Sequence, residues 1–327
     1  YGDCATGEAL AVFQLSADNV ASEDNWPPEV VYTPTGGSTA EAGPEGDTLI
    51  ITTNQDPSTL DPASSSDTQS LVYTLGMYEA LTRWKPDAME IEPWLAESWD
   101  ISDDGLTYTF NLREGVLYHD GTEFNAEAAK FSIDRMKTIG KGRAAVLDSV
   151  ESVEVLGDYT LEMTLSQLDA SFFMGLPNIQ MVSPTTFGLH MKGDNAEGWA
   201  YDDASGTGPF KFVEWQNGIR VVLDKFDDYW GGWDQPHISR LVALVVGEPG
   251  TRRLLLENGD VDIVLKMEDQ IDDAKALADH PDITIDTYPT LSITYVVLAN
   301  HRGPTADKLV RQAISYAFDY DAMIEIG

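Results

Sequence analysis

Residues suited to catalysis or metal binding are present in this chain, but they are scattered. No two histidines stand at i and i+4, and none neighbours the single cysteine, Cys4. The five histidines are His119, His190, His237, His280 and His301. Zinc and other transition-metal sites bring imidazole and thiolate ligands together at short, characteristic spacings. The pattern therefore favours loop or surface histidines over a metal centre, and we expect no cofactor.

Motifs for nucleotide binding and nucleophilic catalysis are incomplete. Residues 206–210 (GTGPF) begin like a dinucleotide-binding loop, but Lys211 stands where the third glycine is required, and the residues that follow predict a strand instead of a helix. The chain has no Gly-x-Ser-x-Gly elbow and no phosphate-loop lysine signature. We interpret residues 206–210 as a turn, and we expect a protein that is not an enzyme.

Carboxylates are too numerous here to identify a site. With 55 Asp and Glu residues, some pair will lie at the separation used by glycosidases by chance alone. The adjacent pairs Asp202-Asp203 and Asp272-Asp273 are interpreted as solvated surface, because no loop has the spaced oxygen ligands and central glycine of a calcium-binding loop. Acidic residues therefore do not define a reaction.

The excess of acidic residues nevertheless excludes some partners. Twenty basic residues against 55 acidic ones give a net charge of −35, and 13 carboxylates precede the first basic residue, Arg83. A surface of this sign repels phosphate backbones and anionic lipids, so nucleic acid is not expected as a partner. Two explanations of the charge stay open: adaptation to a salty extracellular habitat, or attraction of cationic solutes and metal ions.

The cysteine count leaves one modification to consider. A single cysteine forms no intrachain disulfide. Cys4 is a candidate for lipidation, although Tyr1, Gly2 and Asp3 are not the small and aliphatic residues that a lipoprotein signal places there. No apolar run reaches the length of about 20 residues that a bilayer span requires. The sequence therefore predicts no membrane-spanning helix.

Hydrophobic periodicity predicts a mixed α/β protein preceded by an extension. Residues 1–46 are acidic and rich in Pro and Gly, and only Leu10, Val12, Phe13, Leu15 and the segment 30–32 offer apolar anchors. We expect these anchors to dock on an exposed strand edge, of the same body or of a second copy, while residues 36–43 form a connector.

The globular pattern begins at residue 48. Alternating or continuous apolar residues predict strands at 48–52, 106–112, 150–156, 159–165, 210–215, 219–224, 241–246, 261–265, 283–288 and 293–298. Helical periodicity predicts helices at 68–81, 125–138, 251–258, 268–279 and 307–318, with Asn125 as an N-cap and Gly140 as a C-terminal stop. The alternation of strands and helices after residue 238 is typical of an α/β unit.

Eight short segments in this order resemble the extracellular solute-binding proteins of family 5, the dipeptide, oligopeptide and nickel-binding components of ABC importers. The segments are 54–62 (NQDPSTLDP), 94–99 (WLAESW), 105–115 (GLTYTFNLREG), 119–122 (HDGT), 206–210 (GTGPF), 228–232 (DYWGG), 259–263 (GDVDI) and 310–314 (VRQAI). Each segment alone is weak evidence, and most have a structural meaning, such as the large anchors Trp94, Trp99 and Trp230. The resemblance covers residues 47–327.

This resemblance implies a periplasmic-binding-protein type 2 fold, or Venus flytrap, in which two lobes close on a ligand. Lobe one is then expected at residues 47–236, with an added subdomain at about 73–182. Lobe two is expected from 237 to 327. Family members are longer, so the resemblance also implies that the remainder of lobe two is absent from this chain, together with the acidic residue that pairs with a peptide's amino terminus.

The resemblance also implies a ligand site. Asn54, Gln55 and Asp56 follow the first strand and are expected to face the ligand from lobe one, and Tyr295 and Asn300 from lobe two. The alternative interpretation is that Asp56 and Asp61 only hold their loop through Asx-type turns.

The implied function is capture of a peptide or similar small solute for the membrane subunits of an ABC importer. The expected location is extracytoplasmic, at the cell surface or in the periplasm, with membrane anchoring through Cys4 and self-association through residues 1–46 as open alternatives. A second hypothesis is a solute-binding scaffold reused as a structural or assembly protein of the cell surface, and a hydrolase is a third.

Overall fold

A computed structural model describes residues 11–12, 47–85, 88, 90–265, 271–278, 280–286 and 295–320. The chain divides into two compact units, one formed by Gly36–Lys266 and the other by Tyr1–Thr35 together with Met267–Gly327. Each unit is described by itself below.

The described residues form strands and helices in the alternation expected of a mixed α/β protein. The strands are β1 (Ala11–Val12), β2 (Asp47–Thr53), β3 (Thr82–Trp84), β4 (Ile91–Pro93), β5 (Ala96–Ile101), β6 (Thr107–Leu112), β7 (Val150–Gly157), β8 (Thr160–Leu165), β9 (Phe210–Gln216), β10 (Arg220–Lys225), β11 (Ile238–Val245), β12 (Ile263–Val264) and β13 (Tyr295–Val296). The α-helices are α1 (Thr68–Met77), α2 (Ala126–Ile139), α3 (Ala170–Gly175), α4 (Pro184–His190), α5 (Glu197–Ala200), α6 (Pro249–Glu257), α7 (Ile271–Leu277) and α8 (Lys308–Ala317).

The larger unit is organised around a five-stranded sheet in the order β12-β2-β11-β10-β9. β2 is parallel to both β11 and β12, whereas β9, β10 and β11 are successively antiparallel. The neighbouring apolar residues Ile50 and Ile51 of β2 point to opposite faces of the sheet and are both buried, at 7 % and 4 % exposure, so both faces are covered there. Because β10 runs antiparallel to β11, the β9–β10 turn lies at the same edge of the sheet as the carboxyl ends of the three parallel strands.

The expected lobe boundary at residue 237 lies inside this unit. β11 begins at Ile238 and runs between β2 and β10, and the unit continues to Lys266. The chain then passes from β11 through α6 to β12 on the other side of β2. The division into lobes between residues 236 and 237 stays a prediction. In the structure, β11, which follows this boundary, belongs to the same sheet as β2.

A second sheet, in the order β5-β6-β8-β7, packs against α2 within the range expected for the added subdomain. The alternation predicted for β6 is confirmed, because Tyr108, Phe110 and Leu112 are buried. Helix α2 begins after Asn125, whose side chain accepts a hydrogen bond from the N–H of Ala128, and it ends at Gly140 in the left-handed conformation at φ 63°. Both predicted helix signals are confirmed.

A buried ion pair connects α2 to the segment after β2. Both guanidinium ends of Arg135 donate to the carboxylate of Asp61, at 2.8 and 2.7 Å, and Arg135 Nε donates to the carbonyl of Asn195 at 2.8 Å. Asp61 also accepts a hydrogen bond from the N–H of Ala63 at 3.0 Å, which is the predicted Asx turn. Because the two side chains are each only 1 % exposed, removing either one would leave an unpaired charge in the interior.

Some predicted elements have different limits. Helix α1 ends at Met77 and not at residue 81, because Tyr78 adopts an extended conformation and leads toward β3. Residues 283–286 form no strand, so the strand predicted at 283–288 is wrong for that part, and 287–288 lie outside the described residues.

In the smaller unit, β1 pairs with β13 in antiparallel register, with Ala11 opposite Val296 and Val12 opposite Tyr295. The predicted anchor Val12 therefore contributes to an added strand within this unit. The other anchors and the connector at 36–43 lie outside the described residues. Among the helices that are described, none combines the length and the apolar character needed to cross a bilayer.

Candidate functional site

The loop after β2 lies at the carboxyl edge of the parallel strands. In open α/β sheets this edge is where ligands bind, because loops from neighbouring strands converge there. Backbone hydrogen bonds join its components: the N–H of Val246 donates to the carbonyl of Thr53 at 2.8 Å, and the N–H of Val245 donates to the carbonyl of Ile219 at 2.9 Å. The ends of β2 and β11 and the β9–β10 turn thus form one frame around the loop.

The three predicted side chains on this loop have different roles in the structure. Asn54 Oδ1 accepts a hydrogen bond from Gln69 Nε2 on α1 at 2.7 Å. The Asp56 carboxylate accepts from the indole of Trp215 at 2.7 Å and from the N–H of Gly218 at 2.9 and 3.1 Å. Gln55, between them, is exposed. The side chains on either side of Gln55 are therefore held by the protein, and that of Gln55 faces solvent.

The remainder of the loop is connected to α1 and to a distant segment. The N–H of Ser58 donates to Ser70 Oγ at 3.0 Å, and Asp67, the N-cap of α1, accepts from the N–H of Ser70 at 2.8 Å. Burial alone would raise the pKa of Asp67, but its hydrogen bonds from Ser58 and Ser70 outweigh this effect and lower it. The N–H of Leu60 donates to the carbonyl of Tyr201 at 2.9 Å. These contacts leave the loop little freedom.

The neighbouring end of β11 continues into α6 through Gly247 and Glu248. The Glu248 carboxylate caps the helix by accepting from the N–H groups of Gly250 and Thr251, and the Thr251 hydroxyl and N–H bonds lower the pKa of this carboxyl. The buried Arg252 donates to the carbonyls of Val246 and Gly247 at 3.0 and 3.3 Å. The start of α6 is thus occupied by a carboxylate of the chain itself.

Two buried titratable groups lie elsewhere in the larger unit, at the GTGPF segment. Glu79 is 6 % exposed, and each of its carboxylate oxygens accepts two hydrogen bonds. The donors are the indoles of Trp94 and Trp230 and the hydroxyls of Thr207 and Tyr229, at 2.8 to 2.9 Å. Burial raises the pKa of Glu79, against the lowering effect of these bonds. With two donors on each oxygen, this carboxylate is built as a structural cross-link.

His119 is bonded to the same segment through both of its ring nitrogens. Its Nδ1 accepts from the N–H of Gly206 at 3.3 Å, so Nε2 carries the proton and donates to the carbonyl of Gly208 at 2.9 Å. Gly206 and Gly208 pass so close to α1 that a Cβ would lie 2.2 Å from the Met77 carbonyl oxygen and 2.5 Å from that of Gly76, respectively. The interpretation of 206–210 as a turn is therefore refined: it is a tight junction whose glycines are required by close approach.

Across the described residues, no group of three or more histidine, cysteine or acidic side chains is arranged to hold a metal ion. The predicted contributors from the second lobe, Tyr295 and Asn300, lie in the smaller unit, at β13 and in the residues after it. The loop at 54–56 therefore brings three of the five predicted residues together. Cys4 lies outside the described residues.

Comparison with known proteins assigns the chain to a family. The sequence profile of the bacterial extracellular solute-binding proteins, family 5 (middle region), matches residues 90–327, which is most of the chain. The chain belongs to this family. The resemblance inferred from the eight segments is confirmed.

Relatives within the family are similar along most of this chain. The probable D,D-dipeptide-binding periplasmic protein DdpA of Escherichia coli (strain K12) is 33 % identical over 291 residues, which are 87 % of this chain and 55 % of DdpA. The periplasmic binding protein DppA of Helicobacter pylori, solved with the peptide STSA, matches with a TM-score of 0.65 at 31 % identity, over 74 % of this chain and 50 % of DppA. The chain thus spans about half the length of these relatives.

A more distant structure supports the fold alone. The binding protein MoaA of A. tumefaciens R10, solved with mannopinic acid, gives a TM-score of 0.77 at 23 % identity, over 86 % of this chain and 57 % of MoaA. The mixed α/β fold of a family 5 binding protein therefore extends over most of the chain.

Sequence reasoning did not find the residues that hold the loop. The Asn217-Gly218 pair signals a hairpin turn, but no local pattern indicates that its N–H meets a carboxylate at position 56. Trp215 reads as one apolar residue of a strand, and Gln69 as one polar residue of a helix. Both partners are defined only by contacts between distant parts of the chain.

Proposed function

We propose that this chain captures a peptide or a similar small solute for delivery to the membrane subunits of an ABC importer. The observation that carries the proposal is the loop at 54–60: it lies at the carboxyl edge of the parallel strands, is fixed by contacts with three other segments, and presents an exposed polar side chain. The family assignment supports binding without catalysis, because it is a family of solute-binding proteins. DdpA by its name and DppA by its bound ligand are peptide binders.

In this proposal the ligand is held by amide and backbone groups. Within the described part of the chain, the N–H groups of Gln55 and Asp56 have no hydrogen-bond acceptor, and the Gln55 side chain is exposed. Such groups suit the carbonyl and amide groups of an extended peptide. We assign Asn54, Gln55 and Asp56 to the contribution of lobe one, with Asp56 acting through its N–H, and Tyr295 and Asn300 to that of lobe two in the two-lobed arrangement of a Venus flytrap.

The proposed site of action is extracytoplasmic, as for the periplasmic relatives DdpA and DppA. Retention at the membrane through a lipid on Cys4 and self-association through residues 1–46 stay open alternatives within this proposal. Mass spectrometry of the protein isolated from its source organism tests the lipid. Light scattering before and after deletion of residues 1–46 tests the self-association, because loss of an oligomer would show an intersubunit contact and an unchanged monomer would contradict it.

Binding is tested with a defined equimolar pool of di- to tetrapeptides. Native mass spectrometry identifies the retained members, and calorimetry gives their affinities for the unsubstituted protein, for a Gln55→Ala, Tyr295→Ala double variant and for Gln235→Ala, an exposed glutamine away from the loop. We expect retention of unmodified peptide and at least a tenfold loss of affinity in the double variant only, since each lost hydrogen bond contributes roughly 1 kcal/mol. Failure to retain any peptide would contradict the proposal and favour a scaffold reused at the cell surface. Catalytic conversion of the pool would favour a hydrolase.

A further inference from the structure

The hydrogen bonds of Asp56 indicate a role different from direct ligand contact. Its carboxylate accepts from two donors of the β9–β10 hairpin, Trp215 Nε1 at 2.7 Å and the N–H of Gly218 at 2.9 and 3.1 Å. Hydrogen bonds to an ionised acceptor are stronger than bonds between neutral groups. Asp56 thus joins the loop to a hairpin that begins more than 150 residues later in the sequence.

Trp215 contacts both Asp56 and Tyr201. Its ring packs against that of Tyr201, with centroids 5.4 Å apart, and the carbonyl of Tyr201 accepts the N–H of Leu60 at the far end of the loop. Trp215 is therefore bonded directly to Asp56 at one end of the segment 56–60 and is linked through Tyr201 to Leu60 at the other end.

The hairpin is itself well fixed. Its turn is bonded to β11 through the N–H of Val245 and the carbonyl of Ile219, and β11 is bonded to β2 through the N–H of Val246 and the carbonyl of Thr53. Gly218 adopts φ 73°, a left-handed conformation that glycine tolerates and that aims its N–H at Asp56. Hydrogen bonds thus connect β2 to β11, β11 to the hairpin, and the hairpin to the loop that follows β2.

We propose that Trp215 is a positioning residue for ligand binding, which acts through Asp56 by holding Gln55 and its neighbouring N–H groups in the geometry that a peptide main chain requires. This inference rests on the proposed function. Binding groups work only when they are held close to the productive geometry, so a loop that loses its attachment binds more weakly without losing a ligand contact.

The test uses the protein as its gene encodes it. Trp215→Phe keeps an aromatic ring against Tyr201 and removes the indole N–H together with part of the ring, while Asp56→Asn keeps both hairpin donors and changes the acceptor. The matched control is Trp233→Phe, which also removes one indole N–H, here bonded to the carbonyl of Phe226 at 2.9 Å. Hydrogen exchange of the bonded amides of Ser58 and Leu60 reports the order of the loop, and retention of the peptide pool reports binding.

We expect loop exchange to become at least tenfold faster and affinity at least tenfold weaker in Trp215→Phe, with neither change in Trp233→Phe, since a hydrogen bond to a charged acceptor is stronger than one between neutral groups. Affinity in the Trp215→Phe, Asp56→Asn double variant should be no weaker than in the poorer single variant, because both changes break the same connection.

Three results would overturn the inference. Unchanged loop exchange in Trp215→Phe would show that Trp215 does not order the loop. Faster exchange with unchanged affinity would show that loop order does not matter for binding. Multiplying losses in the double variant would show that Asp56 contacts the ligand independently of Trp215. If the unsubstituted protein retains no peptide, the proposed function fails and the ligand role of Trp215 with it, whereas the exchange result still decides whether Trp215 orders the loop.

Discussion

Acid should destabilise the larger unit through His119. This side chain is 9 % exposed, and its two ring nitrogens already accept from Gly206 and donate to Gly208. Burial lowers the pKa of His119 from its ordinary value of 6.5 to about 4, with a further lowering by Lys211 and opposite contributions from the Gly208 bond and Asp120. Protonation would also place an N–H on Nδ1, facing the N–H of Gly206.

The magnitude follows from the proton balance between the two states. Between pH 6.5 and about 4 the unfolded chain binds a proton on His119 that the folded chain does not bind, so stability falls as the pH falls. The full shift is equivalent to roughly 3 kcal/mol, since a tenfold change in proton affinity is worth about 1.4 kcal/mol. About 2 kcal/mol of this is lost on going from about pH 7.5 to about pH 5.

Urea unfolding of the unsubstituted protein and of His119→Gln at these two pH values measures the effect. Tryptophan fluorescence is a suitable signal, because seven of the eight tryptophans lie in the unit that contains His119. The unsubstituted protein should lose about 2 kcal/mol more than His119→Gln on acidification. Glu79, whose raised pKa favours the folded state at low pH, acts in the opposite direction in both proteins, so the difference between the two isolates His119.

The control variant His237→Gln removes an exposed histidine instead of the buried one. Its loss of unfolding free energy on acidification should equal that of the unsubstituted protein. Equal losses of stability on acidification in the unsubstituted protein and in His119→Gln would show that His119 is not the cause, since the variant has no imidazole to protonate at this position.

Two further predictions concern glycine packing and charge. Gly208→Ala should lower the free energy of unfolding in urea by about 3 kcal/mol, because the added Cβ would lie 2.5 Å from the Gly76 carbonyl oxygen. The control is Gly188→Ala in α4, where a Cβ would have no atom within 4 Å, so this change should be neutral or slightly stabilising. Similar losses of stability in both variants would contradict the packing argument. If the net charge of −35 is an adaptation to salt, the melting temperature should rise as KCl is increased well above about 0.15 M, because salt screens repulsion within the folded chain. A melting temperature independent of KCl would contradict the habitat explanation, and association with a cationic peptide that slows steeply with salt would favour the alternative.

Local signals were sufficient for many elements of the fold. Asn125 and Gly140 define the two ends of α2, because capping and a left-handed stop depend only on neighbouring residues. The alternation in β6 and the turn residues of the β9–β10 hairpin were likewise readable, since side-chain direction in a strand has a period of two. Family membership also followed from the sequence, through the order of eight short segments.

Other elements required the tertiary structure because their stability comes from partners far along the chain. The residues of Ile238–Val245 predict a strand, but they do not show that it lies between β2 and β10. Sheet order depends on which edges are available in three dimensions, and a strand's own residues do not encode it. The helix expected to reach residue 81 stops at Met77 for a similar reason, since the following residues serve β3 and the Glu79 cross-link.

The candidate site shows the same division. Local patterns are enough to predict that a polar loop, 54–56, follows the first strand, because strand length and turn residues are local properties. The role of each side chain in this loop depends on contacts in the folded chain: Asn54 is bonded to α1 and Asp56 to the hairpin, while Gln55 faces solvent. A carboxylate has the same identity in a turn, in an ion pair or against a ligand, and its role depends on which donors the folded chain places within about 3 Å of it.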